Sequence, residues 1–289
     1  MNALELTGVS VVYGEGTPFR KVALENIDTY FPEGRITGII GHTGSGKSTL
    51  AMLLNGLLKP TEGKITLFGK DIWENPKDMK SIRSQVGLVF QYPEYQLFAE
   101  TVKEDIAFGP KNMGLTADEI GRRVRLAAEF CGISERELEK SPFEISGGQK
   151  RRAAIAGVVA MQPKILVLDE PAAGLDPKGR EEILGGLVEY RKVYNATLLI
   201  ISHSMEDIAR YADDILVIKE GKVYMHGSVQ DVFMQAEKMF GAGLDLPQIT
   251  KLFVELKKRN ICASTDVYTV GYAKKEIEKI LESKGNINA

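Results

Sequence analysis

Three glycines fall within six residues at Gly41, Gly44 and Gly46, and Lys47, Ser48 and Thr49 follow directly. Glycine lacks a Cβ and tolerates positive φ, so a stretch this rich in it can turn successive backbone N–H groups inward around an anion. The spacing Gly41-x4-Gly46-Lys47-Ser48 fits the P-loop pattern. In that pattern the backbone from Gly41 through His42, Thr43, Gly44, Ser45 and Gly46 to Thr49 cradles phosphates at a helix N-terminus. Lys47 reaches the β- and γ-phosphates, and Ser48 binds Mg²⁺. A glycine-rich turn with a surface lysine is the plainer alternative. The flanks argue against it: an apolar run, Ile36 to Ile40, reads as a strand before the loop, and Leu50, Leu53 and Leu54 recur at helical spacing after it. The ring of His42 is expected to face solvent, with only its backbone N–H joining the cradle.

A second chemical station is the run Ile165-Leu166-Val167-Leu168, which ends in Asp169 and Glu170. A strand of this kind can deliver Asp169 to a Mg²⁺ shell, while Glu170, one residue on, points elsewhere and can polarise an attacking water. Standing alone, the pair would be an ordinary acidic strand end. Ser146-Gly147-Gly148-Gln149 precedes a run that fits a helix, Lys150 to Val159, and offers a second set of N–H donors where phosphate is favoured. Taken singly, that stretch would be a plain helix cap.

Together these stretches resemble the ATPase subunits of ABC transporters. Gly41 to Thr49 matches the Walker A sequence of that family, Ser146 to Gln149 its signature, and Ile165 to Glu170 its Walker B. The resemblance implies a P-loop NTPase that uses ATP and Mg²⁺ as a dimer, the signature of one subunit facing the γ-phosphate held by the other. It also implies roles for single residues. Gln91 matches the glutamine that senses Mg²⁺ and the water and links to the helical subdomain, and His203 matches the switch histidine on the γ-phosphate. Ala173-Gly174-Leu175-Asp176 resembles the D-loop, with alanine where many members have serine. Tyr13 sits where the family stacks a ring on adenine, a contact worth ~1–3 kcal/mol by analogy with base stacking. The implied catalytic set is Lys47, Gln91, Glu170 and His203, and the implied metal set is Ser48, Gln91 and Asp169.

The stretch Gln91-Tyr92-Pro93-Glu94-Tyr95-Gln96-Leu97-Phe98, with Asp105 to Pro110 after it, is similar to the ATPases of energy-coupling factor importers. Gln149-Lys150-Arg151-Arg152 and the segment from Gly241 to Leu252 resemble the second, A′, ATPase of that group. This implies a partner ATPase subunit, identical or related, a membrane T component whose coupling helices enter the groove near Gln91 to Phe98, and an S component that reads a vitamin or transition-metal ion. It places the chain peripherally on the cytoplasmic face of the membrane. Apart from that resemblance, Lys150-Arg151-Arg152 reads as a solvated helix face. Three rival classes lose ground. The gap between Gln91 and Ser146 is too short for the coiled coil of chromosome-structure ABC proteins, a single P-loop disfavours the fused translation factors, and a small-molecule kinase would not need Ser146 to Gln149.

The elements that must position these residues follow from periodicity. Leu4 to Tyr13 alternates as a strand, Ala23 to Phe31 can pair with it, and Gly63 to Gly69 reads as another, together a small antiparallel sheet beside the loop. Ile165 to Leu168 and Thr197 to Ile201 are short apolar runs of the kind found in buried parallel sheets. Asp214 to Lys219 and Lys222 to Met225 flank Glu220-Gly221 as a hairpin. Helices are expected over Val102 to Phe108, Ala117 to Cys131 and Gln149 to Val159, an inserted subdomain spanning about 92–160. The fold expected is therefore α/β: a P-loop NTPase core over 1–225 with a central, mostly parallel sheet, and a small helical extension over 226–289. Ser228-x-x-Asp231 has capping-box spacing there, Pro247 opens a helix with Ile249, Leu252, Phe253 and Leu256 on one stripe, and Ala273, Ile277, Ile280 and Leu281 form another.

Composition sets the outer bounds. The 289 residues carry a net charge of −2, so no global field recruits nucleic acid or anionic lipid. The two cysteines, Cys131 and Cys262, lie far apart without metal-ligand spacing and read as reduced structural thiols. Nowhere do enough apolar residues run together to span a bilayer.

Overall fold

The computed structural model describes residues 1–259, 261–262 and 267–285. Of the expected extension over 226–289, residues 260, 263–266 and 286–289 lie outside the described residues. Among the described residues the strands are, in chain order, β1 (Asn2–Tyr13), β2 (Lys21–Pro32), β3 (Ile36–Ile40), β4 (Glu62–Leu67), β5 (Lys70–Asp71), β6 (Val86–Val89), β7 (Ile165–Asp169), β8 (Thr197–Ile201), β9 (Asp214–Lys219) and β10 (Lys222–Ser228).

They form two sheets. The alternation read from Leu4 onward buries Leu4, Leu6, Val9 and Val11 on one face of β1, which pairs antiparallel with β2 on one side and β4 on the other. The second sheet has the order β10-β9-β3-β8-β7-β6, all parallel except β10. Its strands β3, β7 and β8 are buried on both faces because each face is covered. In β7, Ile165 and Val167 join the core shared with the antiparallel sheet and helix Lys47–Leu54, while Leu166 and Leu168 join the core shared with the helical subdomain. β8 divides the same way, Leu199 and Ile201 from Leu198 and Ile200. This period-two split puts Asp169, in phase with Ile165 and Val167, on the side of helix Lys47–Leu54.

The subdomain inserted between β6 and β7 is helical as expected. Helix Val102–Asn112 starts on a Thr101 cap and continues past Phe108 through Pro110, whose buried ring compensates for the lost N–H. Helices Ala117–Phe130 and Gly147–Val159 pack against it. Cys131 is fully buried where they meet, and burial pushes its thiol up to about 12. Strand β10 runs on to Ser228, past Met225, and helix Val229–Phe233 follows at once with Ser228 as its cap. Phe233, Met239, Leu244 and Leu246 are buried in the main core, so the first part of this segment packs on the ATPase body; Phe253, Val267 and Ala273 form a small separate cluster. On the stripes expected there, Leu252 and Leu281 stay exposed.

Candidate functional site

Parallel strands share a polarity, so their carboxyl ends line one edge of the sheet, the usual location of ligands in open α/β folds. β3 runs into Gly41, β6 into Gln91, β7 ends at Asp169, and β8 leads to His203. The P-loop strand β3 is central, flanked by β8 and β9. Four distant stretches of chain thereby reach one cleft of about 240 Å³, lined by Tyr13, Lys21, Ala23, residues of the loop from Thr43 to Thr49, Gln91, Asp169, Glu170 and His203.

The loop is held by its neighbours. Gly46 caps helix Lys47–Leu54 at φ 108, a conformation side chains rarely adopt, and a Cβ there would meet Leu24 and the Ala23 carbonyl at 2.6 and 2.7 Å. The Gly221 N–H donates to the Ser45 carbonyl at 3.0 Å, tying the loop to the β9–β10 turn. Lys47 is buried and its Nζ donates to the carbonyls of Gly41 (2.6 Å) and His42 (2.8 Å). Burial pulls its pKa below the ordinary lysine value, against the pull of Asp169 and Glu170. An ammonium so placed at the loop mouth can exchange carbonyl oxygens for phosphate oxygens with little movement.

Ser48 Oγ donates to Asp169 Oδ2 at 2.8 Å, bringing a hydroxyl and a buried carboxylate to one point, a hard oxygen pair suited to Mg²⁺. Burial raises the Asp169 pKa, opposed by the Ser48 hydrogen bond and Lys47. Glu170 follows in left-handed backbone, φ 54, and its N–H donates to the Ile201 carbonyl at 3.0 Å, which turns the chain out of the sheet. Its Oε1 is buried and accepts no hydrogen bond from the described residues; His203 Nε2 is the near group, at 3.5 Å. Burial, then the adjacent Asp169 charge, pushes Glu170 up to about 7. Burial and the Lys47 cation lower the His203 pKa. A carboxylate poised near neutrality, with one oxygen turned to an unfilled contact, has the properties of a general base for water.

Tyr13 flanks the same cleft, 38% exposed, with its hydroxyl 3.4 Å from Thr49 Oγ1. Lys21, a cleft residue that sequence reasoning missed, lies directly across the β1–β2 ladder from Tyr13. The strand register was the signal that could have found it.

Ser146 to Gln149 does not line this cleft. Ser146 and Gln149 form a reciprocal capping box (2.8 and 3.3 Å), and Gln149 Nε2 also donates to Glu137 at 2.6 Å. The box leaves the N–H groups of Gly147 and Gly148 at the helix end, without an intrahelical partner. The expected solvated face at Lys150-Arg151-Arg152 is corrected by the structure. Arg151 is only 4% exposed and forms a fork with Glu94, while Arg152 pairs with Glu182 (3.2 Å) and Glu137 (3.6 Å). Carboxylates from three separate segments convert two of the three cations into internal groups.

His42 is exposed as expected, with one contact the sequence did not announce. Its ring lies against Gly243, where a Cβ would collide with Nε2. Gly243 ends helix Ala236–Gly241 at φ 63, its N–H donating to Phe240 O (2.7 Å) and the Leu244 N–H to Met239 O (2.9 Å), the paired bonds of a Schellman cap. Glycine is thus required twice over, and the chain after β10 reaches the phosphate loop itself.

The ABC transporter family profile matches residues 24–173. The chain is 53% identical over 284 residues to the energy-coupling factor transporter ATP-binding protein EcfA2 of Caldanaerobacter subterraneus subsp. tengcongensis, covering 98% of this chain and 99% of that one. It is 51% identical over 237 residues to EcfA2 of Bacillus subtilis strain 168, covering 81% and 86%. Among solved structures, cbiO1 of Clostridium perfringens, described as part of the ABC transporter complex cbiONQ, superposes with a TM-score of 0.74 at 40% identity over 88% of this chain and 99% of that one. The dimeric ATP-binding cassette MJ0796 in a post-hydrolysis state with ADP and Pi superposes with a TM-score of 0.71 at 28% identity over 78% and 98%.

Proposed function

Because the chain belongs to the ABC transporter family, among its energy-coupling factor ATP-binding proteins, we propose that it is the ATP-hydrolysing subunit of an energy-coupling factor importer and works through a nucleotide-sandwich dimer. One observation carries the reading. The cleft gathers the P-loop, Gln91, Asp169, Glu170 and His203, but not Ser146 to Gln149. Each chain then holds half of two sites, and a second subunit, identical or related, supplies the missing helix end.

Lys47 and the loop N–H groups bind the phosphates of ATP, Tyr13 stacks on the adenine, and Ser48, Asp169 and Gln91 hold Mg²⁺. A Mg²⁺ ion held by these residues would supply positive charge against the phosphates. Glu170 takes a proton from the attacking water, and His203 can donate to the γ-phosphate side. ATP favours the closed dimer only as far as it binds that state better than the open one. Hydrolysis removes the bridge and reopens it.

An apolar groove of about 520 Å³, lined by Leu57, Leu88, Phe90, Leu97, Phe98 and Phe108 among others, supports docking of coupling helices from a membrane T component. An S component would then read the cargo, a vitamin or transition-metal ion. No helix among the described residues is long and apolar enough to cross a membrane, so membrane association would come through these partners, at the cytoplasmic face. The net charge of −2 supports no role for nucleic acid.

The test is dilution. ATP turnover per chain, followed with phosphate release over a wide range of protein concentration, should fall as the dimer dissociates and recover when the partner ATPase is added. Full turnover by a chain shown to be monomeric would sink the reading.

A further inference from the structure

We infer that Arg151 is a positioning residue that makes three parts of the site move as one body: the helix beginning at Ser146, the segment after Gln91, and the loop after Glu170. The inference rests on the proposed ATPase reading of the site, and its geometry is independent of it. Arg151 lies in helix Gly147–Val159, just beyond Gln149, and is almost wholly buried. Its Nε and Nη2 donate to the two oxygens of Glu94 at 3.1 and 3.0 Å. Its Nη1 donates to the Ala173 carbonyl. The guanidinium also sits 5.8 Å from the Tyr92 ring centroid.

Each partner is one short step from a reacting group. Glu94 stands on the turn Pro93–Gln96, entered from Gln91 through Tyr92 in left-handed backbone, φ 58. The Ala173 N–H donates to the Glu170 carbonyl at 3.2 Å, so Ala173 closes the turn that carries the proposed base. Leu175 of the same loop lies against Gly148. A planar fork holds a carboxylate bidentately with little freedom, and a buried guanidinium cannot release one partner without stranding a charge. The groove that faces Gln96, Leu97 and Phe98 is continuous with this turn. A push on the groove therefore reaches Ser146 and Glu170 through a single side chain.

The test uses the ATPase dimer with its partner subunit and compares Arg151→Met, Arg151→Lys, Glu94→Gln and the double variant Glu94→Gln/Arg151→Met. ATP turnover at saturation should fall about ten- to a hundredfold in Arg151→Met, the size of loss expected when reacting groups are misplaced without being removed. The dissociation constant of ATP on the isolated chain should stay unchanged, because the P-loop is untouched. The double variant should be no slower than Arg151→Met alone, and Arg151→Lys should recover only part of the loss. Amide hydrogen exchange on the unliganded chain gives a readout free of catalysis: residues 91–96 and 172–176 should exchange faster together in Arg151→Met, with 41–46 unchanged. The inference is overturned if turnover per folded molecule is unaffected, or if only one of those two segments loosens. A wild-type dimer that fails to hydrolyse ATP would instead count against the functional reading, while the exchange result would still judge Arg151.

Discussion

Replacing Glu170 by Gln isolates the proposed base with almost no change of shape. The amide keeps the volume and the left-handed turn, and leaves the Ser48–Asp169 hydrogen bond and the two carbonyl contacts of Lys47 in place. ATP binding should therefore stay within about twofold of wild type, while saturated turnover falls ~10²–10⁴-fold, the usual worth of a positioned general base. With hydrolysis blocked, the ATP-bound dimer should accumulate and elute as such in size-exclusion chromatography. The raised Glu170 pKa fixes the pH behaviour. With its pKa at about 7 the carboxylate is mostly ionised at pH 8. Wild-type turnover should drop about tenfold for each pH unit below 7, and the variant's residual rate should lack that limb. Stability carries the opposite sign. A folded-state pKa above the ordinary 4.5 means the native protein holds this proton more tightly than the unfolded chain, so ionising Glu170 works against folding as pH rises from about 4.5 to 7. In thermal melts without nucleotide, the variant should match wild type near pH 4.5 and gain on it progressively to pH 8. Steady-state hydrolysis near the wild-type rate would remove Glu170 from its assigned role.

Two further predictions concern single residues. Tyr13→Ala should raise the KM for ATP about five- to tenfold with kcat nearly unchanged, the lower end of base-stacking energies because the ring stays partly exposed; an unchanged KM in steady-state kinetics would assign Tyr13 to packing alone. Gly186 and Gly185 are adjacent in helix Pro177–Tyr194, yet a Cβ at Gly186 would collide with the Phe130 carbonyl while one at Gly185 meets nothing within 4 Å. In calorimetry, Gly186→Ala should lower stability by ~2 kcal/mol, overpacking less the helix gain of alanine, and Gly185→Ala should raise it by up to ~1 kcal/mol. Equal effects would show that the two helices can separate freely.

What could be read without coordinates was mostly local. The Walker-type spacings are contiguous, and β3, β7 and β8 stand out because burial on both faces keeps them almost wholly apolar, with Thr37, Asp169 and Thr197 the exceptions. Amphipathic helices long enough to repeat, such as Ala117–Phe130, were equally legible. Short ones such as Met79–Gln85 and Met205–Tyr211 span barely two turns, too little for a period to declare itself. The residues misread or missed at the site depend on register or on long-range meetings. Arg151 looks like one of three adjacent surface cations until Glu94, 57 positions away, is seen beneath it. Lys21 belongs to the cleft only through its pairing with Tyr13. The seat of His42 on Gly243 joins two stretches whose meeting no periodicity announces.

That seat ties the reach of the tail to the grip on nucleotide. A helix cap pressed onto an imidazole in the loop cannot shift without being felt there. By thermodynamic reciprocity, any factor by which nucleotide firms or frees the cap is the factor by which disturbing the cap alters nucleotide affinity. A disturbance of the chain beyond β10 would reach nucleotide affinity only by the factor with which nucleotide itself moves the cap.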